Sequence, residues 1–228
     1  MANEIISYVE MCRREGASLQ RGMNLRLHPT HSVILMSVRR NAPYRDRIED
    51  EGRTLIYEGH DQPVSESARD PKAVDQLAAT STGQRTQNGR FLDAVQAHRD
   101  GAQPEYVRVY EKIHQGIWAY NGLFALVDAW QESDGRRSVF KFKLVAVEEP
   151  DGAFDLTELP LSRGRLIPTA VKLEVWRRDR GQCVKCGAQD ELHFDHILPY
   201  SRGGTSITAD NVQVLCARHN LEKSDHIE

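Results

Sequence analysis

The spacing of apolar and polar positions divides the chain into segments of different period. Residues 3–15 place Ile5, Val9 and Cys12 at helical spacing, which predicts a short helix stopped at Gly16. That stripe assigns Cys12 to buried packing. From His31 the texture changes: SVILMSV (32–38) and TLIYEG (54–59) are β-rich apolar runs, separated by the charged loop NAPYRDRIEDEG (41–52). Residues 61–90 hold few large apolar side chains and predict a long loop, with at most a short helix near Asp75 to Ala79. FLDAVQAH (91–98) predicts a helix with Phe91, Val95 and His98 on one side. YVRVYEKI (106–113), GLFALVDAW (122–130) and SVFKFKLVAVE (138–148) predict three strands, and DGRR (134–137) makes a hairpin turn between the last two.

The stretch EEPDGAFDLTELPLSRG (148–164) has prolines, glycines and no period, which marks a linker. The chain then divides into residues 1–150, with an N-terminal helical segment over 1–27, a linker over 151–164, and residues 165–228. PTAVKLEVWRRDRG (168–181) predicts a helix with Pro168 at its start and Gly181 at its end. Lys and Arg at 163, 165, 172, 177, 178 and 180 oppose only Glu174 and Asp179 there, a local basic patch whose commoner reading is a solvated helix face.

Composition narrows the class. The 228 residues suit one large domain or two modest ones, and 39% hydrophobic with 28% charged residues excludes a disordered chain. Mean hydropathy is -0.57, and no apolar run approaches the roughly 18 residues that span a bilayer, so no membrane partner is expected. The first residues carry acids and no signal-like apolar stretch, giving a cytoplasmic expectation. The net charge of -3 and pI near 6.3 remove the argument from a globally basic protein, so any case for nucleic acid rests on local sites.

Three of the four cysteines cluster late. Cys183-x-x-Cys186 and Cys216-x-x-His219 form two short-spaced pairs, the pattern of two knuckles clasping tetrahedral zinc. A lone CxxC can be a redox motif or chance; two matched pairs leave that reading little room. Four protein ligands leave no open position, so the zinc is structural. Between the pairs, Asp195 and His196 end a short apolar strand, Asn211 precedes Cys216, and Asn220 follows the second pair. Phosphodiester hydrolysis needs an activated water and a hard cation: a neutral imidazole takes the proton, and carboxylate and amide oxygens suit Mg²⁺.

The strings CVKCG, FDHILPYSRGG and NVQVLCARHNLEK resemble an HNH nuclease of the ββα-metal class over residues 165 to 225. The resemblance implies His196 as general base, Asp195 and Asn220 as ligands of a catalytic Mg²⁺ or Mn²⁺, and Asn211 as the brace of loop and base. It implies Cys183, Cys186, Cys216 and His219 as zinc ligands. Many relatives have Cys at the position of His219, so His219 can alternatively face the catalytic metal as the last residue of the family name. His193 and His226 are spare candidates read as surface residues, and Lys223 is either a phosphate contact or a plain exposed lysine.

In the first unit, Tyr44 and Tyr57 flank a loop beside the first strands, with Asp46 close by. Two rings can sandwich an extruded base, and a carboxylate can accept from the cytosine amino group; two tyrosines in a β-rich domain are more often packing. The ordered strings GRTLIYEG, TQNGRFLDAV and AYNGLFALVDAWQESDGRRSVFKFKLV resemble an SRA (YDG) domain over residues 28 to 148. The resemblance implies binding of DNA with a flipped 5-methylcytosine or 5-hydroxymethylcytosine, Tyr44 and Tyr57 as the stacking pair and Asp46 as the pocket acid. Tyr120-Asn121-Gly122 stands for the name-giving triplet and is structural. Gln84, Arg85 and Gln87 are candidate wedge or phosphate contacts.

The expectation is an α+β chain: an SRA-like curved antiparallel sheet followed by a zinc-bound ββα-metal module, acting as a modification-dependent restriction endonuclease on double-stranded DNA. One HNH site cuts one strand, so duplex symmetry suggests a homodimer. The alternatives are an HNH nuclease reading unmodified DNA, a non-cutting zinc-containing reader, and a zinc-stabilised structural protein.

Overall fold

The computed structural model describes residues 3–65, 68–149, 159, 161, 166–198 and 204–223. Residues 3–15 do not form one helix. Strand β1 (Glu4–Ser7) runs into helix α1 (Tyr8–Arg14). The break lies in the sequence: Ser7 Oγ accepts from the Glu10 amide at 3.2 Å and the Glu10 carboxylate accepts from the Ser7 amide at 3.1 Å, a capping box that starts the helix at residue 8. The apolar stripe dissolves accordingly. Ile5 is buried on the strand, Val9 is 57% exposed and Cys12 is half-buried.

Strands β2 (Met23–Asn24), β3 (Ser32–Met36), β4 (Arg47–Glu49) and β5 (Thr54–Glu58) follow, then helix α2 (Gln87–Arg99). Residues 75–79 form no helix. Strands β6 (Glu105–His114), β7 (Ile117–Ser133) and β8 (Ser138–Val147) complete the first unit. The hairpin turn falls at residues 134–137, where Asp134 Oδ1 accepts from the amides of Arg136 and Arg137. Helix α3 (Thr169–Arg178), with Pro168 as its N-cap, leads to strands β9 (Leu192–His196) and β10 (Val212–Cys216) and helix α4 (Ala217–Lys223).

These strands make one sheet in the order β10-β9-β1-β7-β6-β3-β2, with β8 bridging β7 to β5 and β5 pairing with β4. The pairs are antiparallel, as expected, except β3 with β6, which run parallel from Ser32↔Val107 to Met36↔Glu111. The length of β7 lets it branch: Ile117 to Tyr120 pair with β1, while Leu123 to Ser133 pair with β8. Between those parts a bulge expels Asn121 from the ladder, since Val109 opposes Gly122 and Tyr110 opposes Tyr120. Gly122, at φ +96, takes the left-handed backbone the bulge needs.

One core lies under α2, where Phe91 and Val95 pack on Tyr57, Phe124 and Phe142. A second core joins the two units. Val171 and Val175 of α3, Phe194 of β9 and Val214 of β10 pack with Ile5, Ile113 and Ala119. Strand β1 completes the join, pairing Glu4 with Tyr120 on one side and with His193 on the other. Of the predicted linker only Leu159 and Leu161 are described, and Leu161 bridges Val147. No described helix is long and apolar enough to cross a membrane.

Candidate functional site

The second unit is a ββα unit. The hairpin β9–β10, registered from Leu192↔Cys216 to His196↔Val212, passes directly into α4. This puts Cys216 and His219 at the start of the helix, opposite the knuckle of Cys183 and Cys186. Cys183 Sγ and Cys216 Sγ lie 3.4 Å and 3.3 Å from His219 Nδ1, and Cys186 Sγ lies 3.8 Å from Cys216 Sγ. A zinc ion with ordinary bond lengths gives tetrahedral edges of about 3.5 Å for S···N and about 3.8 Å for S···S. The four donors therefore fit one tetrahedral ion, and His219 stands with the thiols. Burial opposes ionisation of Cys183, but amides of Cys216, Cys186 and Lys185 outweigh it and bring the thiol down to about 6, toward the thiolate a metal takes.

Asp195 and His196 occupy the last two positions of β9. His196 Nε2 lies 2.8 Å from Ser206 Oγ, and burial lowers the affinity of the imidazole for a proton. Asp195 Oδ2 accepts from Lys223 Nζ at 2.6 Å and Gln213 Nε2 at 3.4 Å, while its Oδ1 meets no donor among the described residues. The side chain of Asn220, half-buried on α4, makes no hydrogen bond among the described residues. A free carboxylate oxygen and an unengaged amide are hard donors of the kind Mg²⁺ takes, set against the Lys223 charge beside them.

Lys223 corrects its reading as an exposed lysine. It is only 2% exposed, and Nζ also donates to the carbonyl of His196. His193 likewise is buried, not superficial. His226 and residues 199–203 of the P-x-S-x-GG string lie outside the described residues. Asn211 Oδ1 accepts from the Leu198 amide at 2.8 Å, and its Nδ2 donates to the carbonyls of Leu198 and Thr205 at 3.1 Å and 2.9 Å. It thus ties together both described ends of the loop after His196. Gly204 belongs to that clamp, because a Cβ there would stand 1.8 Å from the Leu198 carbonyl oxygen.

The basic patch is partly structural. Lys172 is fully buried, and Arg178 donates to the carbonyls of Ala209 and Val212 at 2.8 Å and 2.6 Å. Lys172 faces only protein, whereas Arg178 braces these carbonyls and keeps part of its side chain in solvent.

In the first unit, Tyr44, Asp46 and Tyr57 converge on the segment 57–61. Tyr44 Oη accepts from the Asp61 amide at 3.4 Å, and Asp46 accepts from the amides of Glu58 at 3.0 Å and Ser37 at 3.1 Å. Burial pushes the Asp46 carboxyl up to about 7 against those amides. Tyr57 is 1% exposed, and its ring belongs to the α2 core, with Oη 3.3 Å from His60 Nε2. Tyr44 is half-buried, its ring stacked on His60 at 5.6 Å with planes 19° apart and the Lys72 ammonium 4.1 Å from its centre. Gln84 and Arg85 are exposed at a tight turn closed by the Thr80 amide on the Gln84 carbonyl, with Arg85 paired to Asp93. Gln87 is half-buried and accepts from the Leu25 amide at 3.4 Å.

Two site residues escape sequence reasoning. Ser206 is a polar residue in a glycine-rich loop, with no signal of its contact to His196. His60 lies directly beyond the apolar run that contains Tyr57, and only the fold turns its ring toward both tyrosines. A cavity of about 400 Å³ opens where the units meet, lined by Asp46 and Ile48 on one side and by Leu166, Thr205 and Ser206 on the other.

Among solved structures, the chain is similar to the SUVH5 SRA domain in complex with hemi-methylated CG DNA: 23% identity, 68% of this chain and 93% of that one, TM-score 0.44. It is similar to the modification-dependent TagI restriction endonuclease at 18% identity over 97% of this chain and 76% of that one, TM-score 0.40. It is also similar to KRYPTONITE in complex with mCHH DNA, a peptide and SAH, at 15% identity over 69% of this chain and 34% of that one, TM-score 0.42. No curated protein matches the chain. The family model described as HNH endonuclease matches residues 183–226, the span that holds both Cys pairs, Asp195, His196, Asn211 and Asn220.

Proposed function

We propose that the chain is a metal-dependent DNA endonuclease whose first unit reads a modified cytosine in double-stranded DNA. One observation carries the nuclease reading: the matched HNH segment folds as ββα with Asp195 and His196 at one end of the hairpin and the Cys3His cluster at the other. Zinc in the cluster holds hairpin and helix together in a unit with a small core. Asp195 Oδ1 and the Asn220 amide oxygen would hold a divalent cation, which supplies positive charge to a phosphate and its leaving oxygen.

The remaining steps belong to side chains of this chain. His196, whose partial burial favours the neutral imidazole, takes a proton from the attacking water, and Ser206 orients its ring. Asn211 holds the loop beside it, and Lys223 fixes both Asp195 and the backbone of His196. For the reader, support comes from the SRA-like strings and from the convergence of Tyr44, Asp46 and Tyr57 on one segment. A homodimer would place one such site on each strand.

The test is cleavage of a supercoiled plasmid carrying modified cytosine, by the full chain with Mg²⁺ or Mn²⁺. His196→Ala is expected to slow strand cleavage about 10²–10⁴-fold while the zinc content stays the same. Cleavage at the wild-type rate by His196→Ala rejects the mechanism.

A further inference from the structure

One face of Tyr44 in the first unit is already covered by a ring that is tilted at 53° to Tyr57. Tyr44 and His60 are near parallel, with centroids 5.6 Å apart, and His60 Nε2 is 3.3 Å from the hydroxyl of Tyr57. A base inserted between two rings needs the stacking distance of about 3.4 Å on each side, or roughly 7 Å in all. No base fits between Tyr44 and His60 as they stand. We infer that the His60 imidazole is the resident occupant of that face, and that a flipped base reaches the face of Tyr44 only by displacing it. This rests on the reading of Tyr44, Asp46 and Tyr57 as a base pocket, and it adds the residue that sets the threshold for entry.

The backbone of His60 is held from both sides, which leaves its side chain as the part that can yield. The His60 amide donates to Asn88 Oδ1 at 2.8 Å, and Asn88 Nδ2 donates to the His60 carbonyl at 2.8 Å. Gln76 Nε2 donates to the carbonyl of Gly59 at 2.6 Å. A Cβ at Gly59 would stand 2.7 Å from Asn88 Oδ1 and 2.8 Å from Gln76 Oε1, so glycine lets both amides close on the chain. Against that fixed backbone, rotation of the imidazole about its χ angles is the local way to uncover Tyr44. Burial keeps the ring neutral, with a pKa of about 4, so no charge has to be moved with it. The imidazole thus imitates the flat, neutral, edge-bonded character of a base. A base that stacks better than imidazole displaces it, and one that stacks or fits less well does not.

The experiment measures binding of the full chain, without added divalent cation, to a duplex with one 5-methylcytosine and to the matched unmodified duplex. His60→Ala and His60→Ser remove the competing ring. Either is expected to tighten binding of the methylated duplex about threefold to tenfold, the worth of one aromatic stacking pair, with a smaller gain on the unmodified duplex. Tighter binding in either variant with that selectivity supports the inference, since misfolding cannot produce it. Equal gains on both duplexes, or unchanged or weaker binding in both variants, overturn it. Equal binding of the two duplexes by the wild-type chain overturns the pocket reading itself, and is told apart from failure of the His60 role because it needs no variant.

Discussion

The ammonium of Lys172 lies 2.8 Å from the carboxylate of Glu111, and neither side chain is exposed to solvent. Lys172 sits on helix α3 of the second unit and Glu111 on strand β6 of the first. Asn121, expelled by the bulge in β7, completes the site. Its Oδ1 accepts from Lys172 at 2.6 Å and its Nδ2 donates to Glu111 at 3.1 Å, while the Thr169 hydroxyl donates to the same carboxylate. The Tyr120-Asn121-Gly122 triplet thus serves to seat the second unit on the first. Removing one partner of a buried pair strands the other charge. Lys172→Met is expected to lower unfolding stability by about 3–5 kcal/mol, and adding Glu111→Leu to recover part of the loss. Urea denaturation of the two variants checks this; strictly additive losses would contradict it.

The Cys3His cluster yields a stoichiometry. Purified protein is expected to carry one zinc per chain, and Cys216→Ser to lose it. Because α4 hangs on that cluster, loss of zinc is expected to end cleavage and to loosen the second unit. Elemental analysis paired with near-UV circular dichroism reads both outcomes. Zinc-free protein with unchanged spectra and full activity would remove the structural role.

Tyr44 and Tyr57 are expected to fail in different ways. Tyr57 is enclosed in the core, so Tyr57→Ala should cost about 3–5 kcal/mol of stability. Tyr44 is half-buried, so Tyr44→Ala should leave stability within about 1–2 kcal/mol and weaken binding of the modified duplex by the roughly 1–3 kcal/mol of one base stack. Thermal melts and anisotropy titrations on both variants separate the two losses. Equal effects on binding and stability in both would show that neither ring meets a base.

Asp46 and His60 give opposite pH slopes. Asp46 is raised from 3.8 to about 7, so between those values the folded chain holds a proton the unfolded chain has released, and stability falls as pH rises. His60 is lowered from 6.5 to about 4, so the unfolded chain holds the extra proton and stability rises with pH up to about 6.5. The two largely cancel in the wild type. From pH 5 to 7.5, Asp46→Asn is expected to gain stability relative to wild type and His60→Gln to lose it, each by on the order of 1–3 kcal/mol. Denaturation midpoints at the two pH values test the signs. Parallel behaviour of all three proteins would contradict them.

The legible parts of this chain are those set by local chemistry. Period-two alternation marks β6 and β8, the Asp134 turn marks the hairpin, and short Cys and His spacings mark the cluster. The misread or unread parts are set by long-range partners. Ile5 and Val9 have helical spacing, yet β1 is drawn into the sheet by β7 and β9, which lie more than a hundred residues away. The parallel pairing of β3 with β6 depends on a crossover through β4, β5 and α2, which no local pattern encodes. Lys172 and Lys223 look like surface cations until the fold places Glu111 and Asp195 against them. His60 and Ser206 become visible only when the rings they touch are in place.

The most direct measurement is digestion of one plasmid prepared four ways, with unmodified, 5-methylated, 5-hydroxymethylated and glucosylated cytosine, by the full chain with Mg²⁺ or Mn²⁺. Cleavage of the methylated or hydroxymethylated form, with the unmodified form left intact, is the expected result. Equal cleavage of all four, or of none across both cations, contradicts a nuclease directed by a modified base.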